Sequence, residues 1–281
     1  MAALAILIKH ISLICVFLLI KGALCRDVDV KEFPYLGTLR KLKEESQVVG
    51  SGYVCGATLI HNRVFVTSGE CIHGKKPEDM IVVIGTTLMK GLPKTILVLK
   101  IEYMRLHGLY VYKKHNYNIG LIFTSEDTPP IKDAIGYIPI NKKRVPPHTK
   151  CYIIGWGVAA KKLRSRPKLI INWSAGALTC YKTTRNIGLL CTYRYKRSKP
   201  DHSDAGTPLI CNNKLAGVFI TRGSNKFHIF TDIYSFRKWI NGAIYLHFKS
   251  DKPLMIETSS IEGSICSPWL VVLVVSIYFV T

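Results

Sequence analysis

The sequence predicts an all-β protein, a sandwich or barrel of short strands closed by one helix, and three observations carry that prediction. Short runs of strand-forming residues recur along the chain with turn signals between them. Leu209 to Thr221 reads as a hairpin closing at Asn212-Asn213-Lys214. Only Tyr234 to Ala243 has the spacing of a helix, with Phe236, Ile240 and Ala243 on one face. Many short strands and a single late helix can bury their apolar faces only by stacking or closing a sheet.

The strand runs, in order, are Tyr53 to Ile60, Arg63 to Thr67, Met80 to Gly85, Thr95 to Tyr103, Ile119 to Phe123, Cys151 to Val158, Leu209 to Asn212 and Ala216 to Thr221. No internal repeat or low-complexity stretch interrupts them. The two ends are different in kind. Residues 1–25 carry one early charge (Lys9), an apolar run from Leu13 to Ile20, and small residues at Gly22 and Ala23. That is the pattern of a secretory signal peptide cleaved between about Ala23 and Arg26. Residues 248–268 read as a polar connector. In the tail, residues 269–281, Trp269 to Val280 is nearly all apolar, and no Lys or Arg follows Lys252. This stretch is short of the roughly 20 residues that a bilayer-spanning helix needs. Behind a spacer holding Thr258, Ser259, Ser260, Gly263 and Ser264, it is expected to be a GPI-attachment signal. A short membrane span and a merely apolar tail are the alternatives.

The remaining residues, 26–247, are enough for one large double-barrel domain or two small ones. Of nine cysteines, Cys15, Cys25 and Cys266 fall at the ends, leaving Cys55, Cys71, Cys151, Cys180, Cys191 and Cys211. An even set in an exported chain implies three disulfides, whose connectivity spacing alone leaves open. Asn172-Trp173-Ser174 is a glycosylation acceptor in such a chain. The balance is strongly basic, 39 Lys and Arg against 18 Asp and Glu, with clusters at Lys142-Lys143-Arg144, Lys161 to Lys168 and Arg194 to Lys199. Any one cluster suits a solvated surface, but the total favours acidic partners such as sulfated glycans, anionic membranes or nucleic acid.

Four landmarks then follow one another. Phe33-Pro34-Tyr35-Leu36 precedes a strand, and Cys55-Gly56-Ala57-Thr58-Leu59-Ile60 leads to Val66-Thr67-Ser68-Gly69-Glu70-Cys71. Cys151 is followed by Gly155-Trp156-Gly157, and Asp204-Ala205-Gly206-Thr207-Pro208-Leu209-Ile210-Cys211 by Gly217-Val218. In this order and spacing, residues 33 to 247 resemble the chymotrypsin-like serine proteases. The resemblance implies two six-stranded antiparallel β-barrels with a C-terminal α-helix, Phe230 to Ile233 and Trp239-Ile240 matching the last strand and helix. It also implies the disulfides Cys55–Cys71, Cys151–Cys211 and Cys180–Cys191.

The same resemblance places three substitutions. Where the family has the His of T-A-A-H-C, this chain has Glu70; where it has the Asp of N-D-I-A-L-L, Asn118; where it has the Ser of G-D-S-G-G-P, Ala205. The chemistry of that site needs a hydroxyl to attack, an imidazole to carry its proton and a carboxylate to orient the imidazole. Ala205 has no nucleophilic atom, Glu70 has nothing to deprotonate, and Asn118 carries no charge with which to stabilise an imidazolium. Ser203 replaces a glycine of the oxyanion hole. Arg222 stands for a glycine of the pocket wall and Lys199 lies near the pocket base, while Asp201 replaces the first cysteine of a disulfide bracing the pocket. No R-I-V-G-G activation site precedes Phe33, so Asp204 lacks the ammonium partner it has in active relatives. A buried unpaired carboxylate costs several kcal/mol. Asp204 is therefore expected to be solvated or paired with a nearby base, in a zymogen-like loop.

These residues lead to the expectation of a secreted homologue, extracellular or anchored at the cell surface, with no enzymatic activity. It would act as a binding, decoy or regulatory protein toward a protein partner such as a protease, inhibitor or receptor. The alternatives are a residual serine-type endopeptidase with displaced catalytic groups, and a basic protein that binds anionic glycans or surfaces. No metal or cofactor is expected, because pairs such as His107 with His115, or His202 beside Asp204, lack recognised ligand spacing.

Overall fold

A computed structural model describes residues 25–156, 168–174, 188–193, 204–223 and 227–250. The signal-like segment 1–24, the connector and tail from 251 onward, Cys180, Lys199, Asp201, His202 and Ser203 lie outside the described residues. Two compact units divide the chain after Ile244. The first holds both sheets; the described part of the second is the end of the last helix.

Strands β2 (Leu36–Lys41), β3 (Tyr53–His61), β4 (Val64–Thr67), β5 (Met80–Ile84), β6 (Leu97–Leu106) and β7 (Gly120–Thr124) close a six-stranded barrel. Their order around it is β2-β3-β4-β7-β6-β5, and every pair is antiparallel. The interior holds Leu39, Leu59, Phe65, Val82, Ile84 and Ile122. On β6 the alternation is direct: Leu99 and Ile101 are buried while Lys100 and Glu102 are exposed, as a half-buried strand requires.

The second sheet contains β1 (Cys25–Asp27), β8 (Lys150–Gly155), β9 (Lys168–Ser174), β10 (Leu189–Tyr193), β11 (Pro208–Cys211), β12 (Lys214–Arg222) and β13 (Phe227–Asp232). Its order is β1-β9-β10-β13-β12-β11-β8, and β8 pairs again with β9. Six strands thus follow one another in a cycle, and β1 is a seventh that lies along β9 through Cys25–Ile170 and Arg26–Leu169. The six strands expected here are present, and the short N-terminal strand adds a seventh. Asn172 lies on β9, where its backbone pairs with Cys151. The last described element is a helix longer than the periodicity implied, Ile233–Ser250.

The hairpin between β11 and β12 closes over two residues, with Cys211 paired to Lys214. Asn212 and Asn213 both have positive φ, 51° and 56°. That is the left-handed pair a tight hairpin demands and asparagine tolerates. Two short helices interrupt the first barrel, α1 (Leu42–Gln47) and α2 (Gly69–Ile72); the terminal helix is α3. Helix α1 is held by its own Glu45, which pairs with buried Arg40 at 2.6 Å and accepts the Gly50 and Gly52 N–H groups at 2.8 and 3.2 Å.

Candidate functional site

Glu70, Asn118 and Ala205 come together at the junction of the two sheets. Strand β4 delivers the chain through Thr67 and Ser68 into α2, whose second residue is Glu70. A helix this short leaves its first N–H groups without internal partners, and Ser68, at the N-cap, makes no side-chain capping bond. Asn118 supplies one instead: its Oδ1 accepts the Glu70 N–H at 3.0 Å. Asn118 is 1 % exposed, and its backbone carbonyl accepts the Thr231 hydroxyl of β13 at 2.6 Å. One residue therefore ties α2 to the second sheet.

Ala205 approaches the same junction from the turn before β11. It is buried among the first barrel's apolar residues, with Cys55, Cys71 and Ala57. Its carbonyl accepts the Gly56 N–H at 2.9 Å, and the next N–H, from Gly206, goes to the Phe219 carbonyl at 2.9 Å. Gly206 has φ +83°, and a Cβ there would overlap the Gly56 carbonyl and the Thr67 hydroxyl. The turn that presents residue 205 is thus fixed from both sheets. It presents a methyl group.

Glu70 is half-buried, and its charge acts on two neighbours. Burial holds the Lys75 ammonium below its ordinary value, Lys41 adds to that, and Glu70 opposes both. Burial and then Glu70 push the Tyr110 phenol up to about 12. Over α2 lies an aromatic stack that the sequence reading did not single out. His73 stacks on Tyr112 with centroids 4.9 Å apart and meets Tyr110 edge-on at 5.8 Å. Further along the same connection, His107 packs against Tyr117, Phe236 and Trp239 at 5.0, 5.3 and 5.0 Å. The Tyr-Val-Tyr run at residues 110–112, between two strands, was the available signal.

Asp204 is 1 % exposed, so the solvated alternative is corrected. A Cβ on Gly155 would collide with its carboxylate, which places that carboxylate against the end of β8. Tyr53 lies half-buried nearby, its ring 5.7 Å from that of Trp156. Its phenol is held well above the ordinary value by burial and by the charge of Asp204, and pulled down by Arg40. Arg40 is itself buried, with Nε donating to Thr38 Oγ1 at 2.8 Å. The Asp204 carboxylate is thus enclosed within the fold.

Of the predicted pocket residues, Arg222 sits at the end of β12, its backbone paired with His228; Lys199 and Ser203 lie outside the described residues. Cys55 is bonded to Cys71, and Cys151 to Cys211. Cys191 is also disulfide-bonded, and Cys180 lies outside the described residues. Among the described residues, no three His, Cys, Asp or Glu side chains group to hold a metal ion, and no helix is long and apolar enough to cross a membrane.

A family model described as Trypsin matches residues 27–240. Azurocidin of Sus scrofa is 24% identical over 225 residues, covering 78% of this chain and 86% of that protein. Trypsin theta of Drosophila melanogaster is 26% identical over 231 residues, covering 77% and 84%. Among solved structures, human heparin binding protein superposes with a TM-score of 0.67 at 22% identity, over 79% of this chain and 96% of its own. Neuropsin of mouse brain superposes with 0.66 at 18%, over 78% and 98%. At such identities the superpositions establish the fold.

Proposed function

The chain belongs to the trypsin family, and from that premise we propose that it is a non-catalytic member that works by binding. Ala205 carries the reading: the Asp204-Ala205-Gly206 motif puts it in the place of the family's attacking hydroxyl, on a turn whose backbone is held from both sheets. Losing the nucleophile or the base of such a site costs on the order of a millionfold in rate, and the losses are far from additive. Here Glu70 and Asn118 remove the base and its orienting carboxylate as well. The remaining hydrogen bonds use these residues as structural parts, Asn118 as a cap for α2 and Ala205 as a backbone link between the sheets.

The N-terminal segment and the disulfides support secretion, and the apolar tail supports retention at a cell surface by a GPI anchor. Binding is then directed at a protein partner (a protease, an inhibitor or a receptor) or at an anionic surface. A net charge of +21 favours the second possibility, as does the likeness in fold to a protein named for binding heparin. Labelling of the purified chain with a serine-directed fluorophosphonate tests the central point. The reading predicts no covalent adduct, and stoichiometric labelling would overturn it.

A further inference from the structure

Tyr234, in the first turn of α3, is flanked by two guanidinium groups: Arg237 lies 4.0 Å from the ring centroid and Arg144 5.8 Å from it. Arg237 and Lys238 follow Tyr234 by three and four residues, so the three share one face of the helix. Arg144 comes from the segment before β8, where Lys142 and Lys143 precede it, all three exposed. Two separate basic stretches therefore converge on one tyrosine.

Among the described residues, Asp232 is the acid that acts on Arg144, and its carboxylate is already engaged. It is 3 % exposed and accepts the Tyr234 N–H at 3.2 Å and the Ser235 hydroxyl at 2.7 Å. Burial pushes its carboxyl up, while those hydrogen bonds and then Arg144 pull it down. Arg237 donates one N–H to the Tyr234 carbonyl at 2.7 Å, leaving four others. Among the described residues no ion pair engages Arg144, Arg237, Lys142, Lys143 or Lys238. By contrast, the cavity of about 490 Å³ beside α1 mixes four lysines with Glu44, Glu78 and Asp79 and has no one-sided charge.

We infer that Arg144 and Arg237, stacked on Tyr234 and flanked by Lys142, Lys143 and Lys238, form a binding site for a sulfated glycan. Guanidinium groups match oxyanions with two parallel hydrogen bonds, and stacking on a ring fixes their planes in advance. The chemistry of the patch selects among polyanions. Arg237, 4.0 Å from the Tyr234 centroid, already occupies a face of the ring on which a nucleic-acid base would stack. None of the exposed large apolar side chains falls in residues 142–144 or 234–238, so the patch lacks the apolar centre of a protein interface. A sulfated sugar chain needs neither.

This inference rests on the reading of the chain as a binding protein. Its test uses the mature chain and an immobilised, size-defined heparin oligosaccharide at physiological ionic strength. The double variant R144A/R237A should lose affinity about tenfold or more, with a shallower salt dependence because fewer counterions are released. R144K/R237K keeps the charge and loses the fork, and should still lose about threefold. K90A/K94A, an equal charge loss on the first barrel, should change affinity less than about twofold; unchanged melting temperatures exclude unfolding. The site is overturned if the parent does not bind heparin, or if K90A/K94A matches R144A/R237A. It is also overturned if duplex DNA or phosphatidylserine vesicles bind as tightly and lose as much. The binding-protein reading itself would fall only on peptide turnover by the same preparation, so the two failures are distinct.

Discussion

The side-chain oxygen of Asn118 accepts the backbone N–H of Glu70 at 3.0 Å. Two of the three positions at which the motif resemblance would place catalytic groups are therefore bonded to each other as structure. An amide oxygen is a sufficient acceptor for an N–H, so the contact needs no carboxylate charge. Asn118→Ala removes that acceptor in a residue that is 1 % exposed, and an unsatisfied buried N–H costs about 1–3 kcal/mol. Urea unfolding should register a loss of that size. An unchanged midpoint would mean that water replaces the bond.

Gly206 is the second test of the junction. Its φ of +83° and the close approach of Gly56 and Thr67 leave no room for a Cβ. Gly206→Ala should destabilise by about 2–4 kcal/mol, from backbone strain and steric overlap together. A variant as stable as the parent in the same assay would show that the turn can relax.

The fold was largely legible because its signals are local. The asparagine pair at residues 212–213 announces its hairpin, alternation announces β6, and the Phe236, Ile240, Ala243 spacing announces α3. Helix α1 was not legible: LKEESQ has no apolar face, and what fixes it is the ion pair from Glu45 back to Arg40. Strand β9 takes its form from pairing on both edges, with β8 on one side and with β1 and β10 on the other. In the site, residue identities at 70, 118 and 205 were readable from motif order. The bond between Glu70 and Asn118, the enclosure of Asp204 and the His73–Tyr112 stack are contacts between residues distant in sequence, which no local pattern encodes.

Acid should weaken the protein through His107. Burial among Tyr117, Phe236 and Trp239 holds its imidazole below the ordinary 6.5, and its Nδ1 accepts the Leu109 N–H at 3.2 Å, which needs the neutral ring. With the folded value depressed, the unfolded chain binds the proton first as pH falls. Stability is thus fully present above 6.5 and declines below it, toward the folded value. The melting temperature should fall between about pH 7.5 and 5.5, and His107→Phe should flatten part of that slope. Equal slopes in the two proteins would contradict the assignment.

The disulfide Cys55–Cys71 closes a loop of sequence separation 16 directly behind Glu70. Replacing both cysteines by alanine should cost about 3 kcal/mol, chiefly by freeing the unfolded chain. The denaturation midpoint measures it. A loss below about 1 kcal/mol would mean that the packing around Ala57 and Ala205 holds the barrel without the bond.

The most direct test of the central claim is exhaustive digestion of a diverse peptide library by the purified mature chain, read by mass spectrometry. An inactivated preparation of an active trypsin-family protease serves as the blank. With Glu70, Asn118 and Ala205 at the junction, cleavage should not exceed that blank at any bond. Reproducible, concentration-dependent cleavage with a consistent residue preference, abolished by unfolding the chain, would contradict the account.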